Sequence, residues 1–327
     1  MSTAIALQGV TKSFGDKIAV HDLDLEIPEG ALYGIIGPNG AGKTTTIRMI
    51  MSILFADRGT VRVLGHESAL DAKDRIGYLP EERGVYKKMK VAAFLEYMAR
   101  LKGAEGHGLR ARVSRWLERV GLAGVEHKKC EELSKGMQQK LQFVATVLHE
   151  PDLLILDEPF SGLDPVNMRL LRDLVREQHE RGATILFSTH VMVQAEQLCD
   201  HIVMIHDGAK VLDSTLAAIR NAHAARSLWF EPLDPQADMS PIRSLPEVRA
   251  VRREGSAHEV TLVDGAEPAA VMQRMVTALP AVRVELHRPS LEDVFVSIVA
   301  GSAAATEEET RLREALRADA EPAHTRR

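Results

Sequence analysis

Residues 31–50 read ALYGIIGPNGAGKTTTIRMI and contain the pattern from which the type of fold can be predicted. The apolar run ALYGII predicts a buried strand, and TTTIRMIMSILF, residues 44–55, predicts the helix that follows. Between them, GPNGAGKT fits G-x-x-x-x-G-K-[ST] in full and in the strand–loop–helix context that separates a phosphate-binding loop from a glycine-rich turn. Its glycines let successive backbone N–H groups point at phosphate oxygens, and the helix adds the positive end of its dipole. The stretch predicts a nucleoside-triphosphate site.

The whole loop and the first helical turn are candidates for nucleotide binding. Lys43 can reach the β- and γ-phosphates and is a candidate catalytic residue, while the Thr44 hydroxyl can bind Mg²⁺. The predicted nucleotide-binding residues are Gly37, Pro38, Asn39, Gly40, Ala41, Gly42, Lys43, Thr44 and Thr45.

A second apolar run, LLILDEPFSGLDP over residues 153–165, stops at two adjacent acids, Asp157 and Glu158. Neighbouring residues of a strand point to opposite faces, so the two acids can have different roles. A phosphate-binding loop needs an acid from another strand for Mg²⁺, and Asp157 fits that role through a water molecule. Glu158 can then act as the general base on the attacking water. The alternative is a strand that simply reaches the surface, with both acids solvated.

Composition excludes several other classes of protein. The 327 residues suffice for two domains, and 41 Lys and Arg against 46 Asp and Glu give a net charge of −5, which argues against nucleic acid as a partner. The N-terminus does not resemble a signal peptide, and no window approaches the roughly 18–20 apolar residues of a membrane span. Cys130 and Cys199 lack metal-ligand spacing and fit a reducing cytosol.

The order of predicted elements indicates an α/β core followed by a smaller domain. After a β-rich start, strands and helices alternate until residue 222, and HIVMIHDGAKVL predicts a hairpin about Asp207-Gly208. EPLDPQADMSP, residues 231–241, has the composition of a junction. We expect a nucleotide-binding domain over 1–222, a small α+β domain over 223–300, and a disordered or frayed helical tail over 301–327.

Further motifs resemble those of the ATP-binding-cassette (ABC) ATPases. LSKGMQQK, residues 133–140, is similar to their signature motif, LLILDEP to their Walker B motif and SGLD to their D-loop, and His190 in STH resembles their switch histidine. The order and spacing of the five motifs agree over about residues 4–220. The resemblance implies a P-loop NTPase of ABC type, which has a mixed-sheet core with an antiparallel β subdomain and a helical subdomain. The small C-terminal α+β domain would be an addition.

In that family two ATPase domains pack head to tail, with each ATP between one P-loop and the partner's signature motif. His190 would then contact the γ-phosphate within its own subunit, and Phe14 would stack on adenine. The residues implied to act in trans are Ser134, Lys135, Gly136 and Met137, with Ser161 and Asp164 in the D-loop. Taken singly, Phe14 could be a half-buried strand residue, His190 a strand-end cap and Ser134 a helix N-cap.

Two positions depart from the family pattern. Lys135 and Met137 replace the usual Gly and Gln of the signature, and Lys135 either adds charge toward the partner's triphosphate or is simply solvated. Glu81 stands where the family has the Q-loop glutamine. We expect a metal-proximal role for Glu81, as a ligand of Mg²⁺; the alternative is pairing with Arg83 or with a basic residue of a membrane partner.

PEERG, SKGM and EPFSGLDPVN most resemble ATPases that work with ABC-2-type permeases, in particular sodium- and drug-efflux proteins. The resemblance implies an exporter's ATPase subunit that uses ATP and Mg²⁺, forms a head-to-tail dimer, and lies on the cytoplasmic face of the membrane on a separately encoded permease. The segment 82–98, ERGVYKKMKVAAFLEYM, is the expected docking surface. The alternatives are import, mechanical work on the envelope, or a regulatory ATP-binding protein with little turnover. The presence of Glu158 and His190 argues against the last.

Overall fold

The structure is a computed structural model that describes residues 2–82, 84–104, 106, 108–222, 227–287 and 289–300. The chain divides into two compact units, one running to Leu216 and resuming at Phe295, the other covering Ala217–Val294. The predicted tail over 301–327 lies outside the described residues. The stretch 231–241 is not a junction, because it lies inside the second unit and begins with two strand residues, Glu231 and Pro232.

The first unit contains two sheets and the helices that cover them. Its strands are β1 (Thr3–Phe14), β2 (Lys17–Pro28), β3 (Leu32–Ile36), β4 (Arg58–Val63), β5 (Ile76–Leu79), β6 (Leu153–Asp157), β7 (Thr184–Thr189), β8 (His201–His206) and β9 (Ala209–Thr215). Its helices are α1 (Lys43–Ile50), α2 (Val91–Leu101), α3 (Leu109–Arg119), α4 (Lys135–Val147), α5 (Pro165–Glu180) and α6 (Met192–Leu198). Short 3₁₀ helices cover Ala69–Arg75 and Cys130–Glu132.

The central sheet has six strands in the order β5-β6-β7-β3-β8-β9. The first five are parallel, and β9 returns antiparallel from β8 through Asp207-Gly208, which confirms the predicted hairpin. Strands β3, β6 and β7 are buried along their whole length, as expected for a parallel sheet covered on both faces. The carboxyl ends of parallel strands meet at one edge, where ligands of such sheets bind.

A separate antiparallel sheet has the order β2-β1-β4, and α2, α3 and α4 form a group of contacting helices. Together with the central sheet they confirm the predicted ABC-type α/β fold. The helix predicted over 44–55 is shorter than expected: α1 ends at Ile50, because Ser52 adopts a left-handed backbone (φ 54°) that a helix cannot continue through.

The second unit is a four-stranded antiparallel sheet with helices. Helix α7 (Leu216–Ala222) begins at the division, followed by β10 (Ser227–Pro232), α8 (Ser240–Arg243), β11 (Val248–Glu254), β12 (Ala257–Leu262), α9 (Pro268–Ala278) and β13 (Ala281–His287). The last helix, α10 (Leu291–Ala300), begins in the second unit and continues into the first from Phe295. The sheet order is β11-β12-β10-β13, with a core built around Leu228, Phe230 and Met275. Within the described ranges of the whole chain, no helix is long and apolar enough to cross a bilayer.

Candidate functional site

The loop between β3 and α1 takes a shape that two of its glycines make possible. Gly37 has φ 155° and Gly42 has φ 110°, and both are packed against backbone. A Cβ at Gly37 would lie 2.1 Å from the carbonyl oxygen of Ile205, and one at Gly42 would lie 2.4 Å from that of Ala19. Any side chain at either position would push the loop off the strands behind it, so the curled backbone depends on glycine.

Lys43 begins α1 and is turned into this loop. Its ammonium group donates hydrogen bonds to the carbonyl oxygens of Gly37 (2.7 Å) and Pro38 (3.0 Å), and the residue is only 6% exposed. Burying an ammonium group is costly unless it is paired, so the loop holds this cation in place before any phosphate arrives. The arrangement therefore presents a fixed positive charge at the mouth of the loop.

Asp157, the last residue of β6, is fully buried beside the start of α1. Its Oδ1 accepts hydrogen bonds from the hydroxyls of Ser188 and Thr44, the latter at 3.4 Å. Its Oδ2 is buried and has no hydrogen-bond partner. Burial raises the pKa of Asp157, while the bonds from Ser188 and Thr44 oppose that rise. An orphaned carboxylate oxygen next to a threonine hydroxyl is what a bound cation or its water would satisfy.

This donor set fits Mg²⁺ better than a metal held by protein alone. Among the described residues, no group of three or more His, Cys, Asp or Glu side chains could hold a metal. Mg²⁺ in nucleotide sites typically takes one or two protein oxygens and completes its shell with water and phosphate. Thr44 and Asp157 supply that number of oxygens.

Glu158 turns away from Asp157 and is held by the end of β7. Its backbone is left-handed (φ 48°), which is rare for a residue with a side chain and concentrates at functional sites. Its Oε1 accepts hydrogen bonds from the backbone N–H of His190 (2.8 Å) and from the Nδ1 of His190 (2.7 Å). The Thr189 hydroxyl lies 3.3 Å from Oε2 but closer, 2.9 Å, to the amide oxygen of Gln194. Oε2 is therefore the more weakly hydrogen-bonded of the two carboxylate oxygens and can accept a proton.

A cavity of about 300 Å³ lies over the loop. Phe14, 52% exposed at the end of β1, stands on its wall, as do Lys43 and Glu158. The lining residues are Phe14, Lys17, Ala19, Asn39, Gly40, Gly42, Lys43, Thr44, Thr45, Glu81 and Glu158. Gly37, Pro38 and Ala41 belong to the loop but do not line this cavity. Its volume is at the lower end of the range for small-molecule sites.

Glu81, two residues after β5, lines the same cavity. Burial raises the pKa of Glu81, and the negative charges of Asp157 and Glu158 raise it further, while Lys43 and His190 oppose the shift. Arg83, the alternative partner, lies outside the described residues. The carboxyl group thus belongs to an electrostatically crowded set that a cation would relieve.

The signature and D-loop residues do not line the cavity. Ser134 is the N-cap of α4, and its hydroxyl accepts the backbone N–H of Met137 (3.3 Å). Lys135 and Gly136 lie in the first turn, with Gly136 facing Leu163 of the D-loop segment. In that segment Asp164 caps α5, and the Ser161 N–H donates to the carbonyl oxygen of Glu158 (3.1 Å).

Two kinds of residue at the site were not predicted from the sequence. Lys17 and Ala19 line the cavity although no motif covers them, because β2 approaches the loop only in three dimensions. Ser188 was also missed. It pairs with Asp157 in the β6–β7 register and donates its hydroxyl to that carboxylate. Its place directly before Thr189 and His190 was the available signal.

Comparison with known proteins agrees with this geometry. Residues 20–161 match the family described as ABC transporter, and residues 215–299 match the family described as the C-terminal domain of DrrA1-3-like ATP-binding proteins. An uncharacterized ABC transporter ATP-binding protein, YhaQ of Bacillus subtilis (strain 168), is 41% identical over 299 residues, covering 90% of this chain and 98% of that protein. A Nod factor export ATP-binding protein I of Burkholderia orbicola (strain AU 1054) is 34% identical, covering 91% and 98% respectively.

A solved structure described as the ATP-binding subunit of an ABC transporter superposes with a TM-score of 0.63 at 31% identity, covering 67% of this chain and 93% of that one. Fold, loop geometry and full-length relatives all lead to one assignment. The chain belongs to the ABC transporter family as an ATP-binding protein, an ATPase of the kind coupled to transport, with a DrrA-like C-terminal domain.

Proposed function

We propose that this chain hydrolyses ATP to drive export through a separately encoded membrane permease of ABC-2 type. The observation that carries the hydrolytic part is the double hydrogen bond from His190 to Glu158, beside a loop that holds the Lys43 cation. The export part is supported by the DrrA-like C-terminal region and by a near full-length relative that is named for export.

The residues of the site divide the reaction between them. Backbone N–H groups of the loop and Lys43 hold the β- and γ-phosphates. Glu158 Oε2 takes a proton from the attacking water while His190 fixes Oε1. The water oxygen bonds to the γ-phosphorus and the bond to the bridging oxygen breaks, which gives ADP and phosphate. Mg²⁺, held by Thr44 and Asp157, would neutralise charge on both phosphates, with Glu81 as a further oxygen ligand. Phe14 would stack on adenine.

A second copy of the chain completes the site in this proposal. The signature residues Ser134, Lys135, Gly136 and Met137, with Ser161 and Asp164 of the D-loop, lie outside the cavity of their own subunit and would face the partner's γ-phosphate. Ser134 caps the N-terminus of a 13-residue helix, so the positive end of the helix dipole supports the same role. ATP between the subunits would then hold the dimer together until hydrolysis.

The permease would hold this subunit on the cytoplasmic face of the membrane, with residues 82–98 as the docking surface. Two aromatic side chains of that segment, Tyr86 (51% exposed) and Tyr97 (43% exposed), contact each other edge to face and are available to a partner. Exposed tyrosines are typical anchors of protein interfaces.

The test has two arms, and both compare the wild-type chain with Glu158→Gln. In the first, affinity purification from detergent-solubilised membranes of the host should recover a multi-span protein. In the second, a host that lacks the chain should accumulate, or become sensitive to, compounds that the wild type clears and Glu158→Gln does not. A deletion strain that takes up less of every responsive compound would instead indicate import.

A further inference from the structure

The hydroxyl group of Thr189 lies between two hydrogen-bond acceptors at the edge of the nucleotide site. It is 2.9 Å from the amide oxygen of Gln194 and 3.3 Å from Oε2 of Glu158. A hydroxyl carries a single hydrogen, so it can donate a full hydrogen bond to only one of the two acceptors. Its oxygen accepts the backbone N–H of Val191 at 3.0 Å, which holds the group in the turn before α6.

Burial makes the choice between these acceptors important. Thr189 is 0% exposed, so water cannot reach its hydroxyl. Among the hydrogen bonds of the described residues, Gln194 and Glu158 supply its two acceptors. If the amide oxygen of Gln194 were removed, the hydroxyl would turn to Glu158, because leaving a buried donor unpaired is unfavourable. Gln194 therefore determines where the hydrogen of Thr189 goes.

The direction of that hydrogen affects Glu158 as a proton acceptor. Oε1 of Glu158 already accepts two hydrogen bonds from His190. A full bond from Thr189 to Oε2 would leave both oxygens of the carboxylate hydrogen-bonded. Such bonds stabilise the ionised form and make a carboxylate a poorer acceptor of a proton. By accepting the Thr189 hydroxyl, Gln194 leaves Oε2 available for the proton of the attacking water.

We propose that Gln194 is a positioning residue for ATP hydrolysis, whose amide oxygen directs the Thr189 hydroxyl away from Glu158 and so keeps Oε2 able to accept a proton. Gln194 is not among the residues that line the nucleotide cavity, and it acts through Thr189. This inference rests on the proposed role of Glu158 as the general base. It extends that role to a side chain of α6 that belongs to none of the sequence motifs.

A purely structural role for Gln194 would give a different result. Gln194 lies in the first turn of α6, where a glutamine side chain can help to cap a helix. If it only stabilises the helix, then removing the Thr189 hydroxyl as well adds a second defect. If it protects Oε2, then removing the hydroxyl removes the group against which it protects. The double variant therefore separates the two roles.

The test is steady-state ATP hydrolysis by the full chain over a range of ATP concentrations. Gln194→Leu fills the same space without an acceptor and should lower kcat about tenfold, while KM stays within about twofold because no contact to nucleotide is lost. Adding Thr189→Val to Gln194→Leu should recover most of the lost rate, because valine has no hydroxyl hydrogen. Gln197→Leu, at an exposed glutamine of the same helix, is the matched control and should keep the wild-type kcat.

Glu158→Gln is measured alongside to separate this inference from the proposed function. If Glu158→Gln turns over at the wild-type rate, Glu158 is not the base and the inference fails with it. If Glu158→Gln is slow but Gln194→Leu keeps the wild-type kcat, only the role of Gln194 is overturned. A double variant as slow as Gln194→Leu, or slower, overturns it too. Circular dichroism checks the fold of each variant, and Gln194→Met, which also lacks the amide oxygen, replaces Gln194→Leu if the latter does not fold.

Discussion

Glu158 and His190 are joined twice: the backbone N–H and the Nδ1 of His190 both bond to the same carboxylate oxygen, at 2.8 and 2.7 Å. The two residues are far apart in sequence and meet because β6 and β7 are parallel neighbours that end together. One oxygen is thereby fixed and the other is left for a proton. The pair therefore gives Glu158 a definite orientation before substrate binds, which is what a general base requires.

Replacing Glu158 by Gln should leave Mg-ATP binding intact and slow hydrolysis. A general base contributes about 10²–10⁴-fold, or roughly 3–5 kcal/mol of barrier, and an amide cannot accept the proton. Unhydrolysed ATP should then hold two subunits together, so a dimer should appear in size-exclusion chromatography only when ATP is present. The control is Glu150→Gln, at an exposed glutamate that lies 3.6 Å from Arg112. Turnover of Glu158→Gln at the wild-type rate would exclude it as the base.

Lys43→Ala should abolish high-affinity ATP binding without unfolding the chain, because the side chain contributes phosphate charge. Lys17 lines the same cavity but belongs to β2, so Lys17→Ala should weaken binding far less. Equilibrium nucleotide binding and circular dichroism decide the matter. Unchanged binding by Lys43→Ala would refute the assignment of the loop.

The two variants Glu81→Gln and Glu81→Ala should separate a metal role from a docking role. The amide oxygen of Gln can still reach Mg²⁺, so Glu81→Gln should keep ATPase activity, whereas Glu81→Ala should require more Mg²⁺. Rates are measured against Mg²⁺ concentration, with and without the permease. Superimposable curves for the wild type and Glu81→Ala would leave only the docking role.

The folded state should lose stability through His149 as the solution is acidified. Its pKa is lowered from 6.5 to about 4 on folding, so below 6.5 the unfolded chain binds a proton that the folded chain refuses. Above pH 6.5 protonation of this group does not affect the free energy of unfolding. Between pH 6.5 and pH 4 the free energy of unfolding falls progressively, by at most about 3 kcal/mol before solvent screening. Urea unfolding at pH 7.5 and pH 5 should show a smaller change for His149→Gln than for the wild type. The exposed His127→Gln should resemble the wild type; an equal change in both variants would contradict the prediction.

Gly42→Ala and Gly40→Ala form a matched pair within the loop. Both positions have positive φ, 110° and 79°, but a Cβ at Gly42 would meet the carbonyl oxygen of Ala19 at 2.4 Å, while one at Gly40 meets nothing within 4 Å. Gly42→Ala should therefore lower the free energy of unfolding by about 1–3 kcal/mol more than Gly40→Ala does. Urea unfolding of both variants measures the difference, and equal losses would mean that the loop relaxes away from β2.

The fold was predictable where a pattern is local. The strand–loop–helix at Gly37–Thr44, the hairpin at Asp207-Gly208 and the alternation of strands and helices can all be read from neighbouring residues. The predictions of structure that were wrong concern segments whose conformation depends on contacts with distant parts of the chain or on a single backbone angle. Residues 231–241 have the composition of a linker, yet Glu231 pairs with Arg283 across a sheet. The end of α1 depends on the left-handed backbone of Ser52, which no pattern in the sequence predicted.

The site followed the same division. Lys43, Thr44, Asp157 and Glu158 belong to contiguous motifs, and the structure brings them to one edge of the sheet. The support from Ser188 depends on strand register, which single-sequence patterns leave open. A cavity between β5, α2 and α4, with Phe94 and Ala145 among its lining residues, is formed by packing between elements, and no sequence motif marks it.

Because Asp157 pairs with Ser188 across β6 and β7, the chemistry of the site depends on the register in which these two strands assemble. A slip of β7 by one residue would turn Ser188 to the opposite face and carry His190 away from Glu158. Such a chain could be compact and still bind nucleotide through its loop, but Glu158 would lose the hydrogen bonds from His190 that orient it as the base. A sheet assembled in that register would thus bind ATP but hydrolyse it slowly, as expected for Glu158→Gln, so the register of β7 decides whether bound nucleotide is turned over.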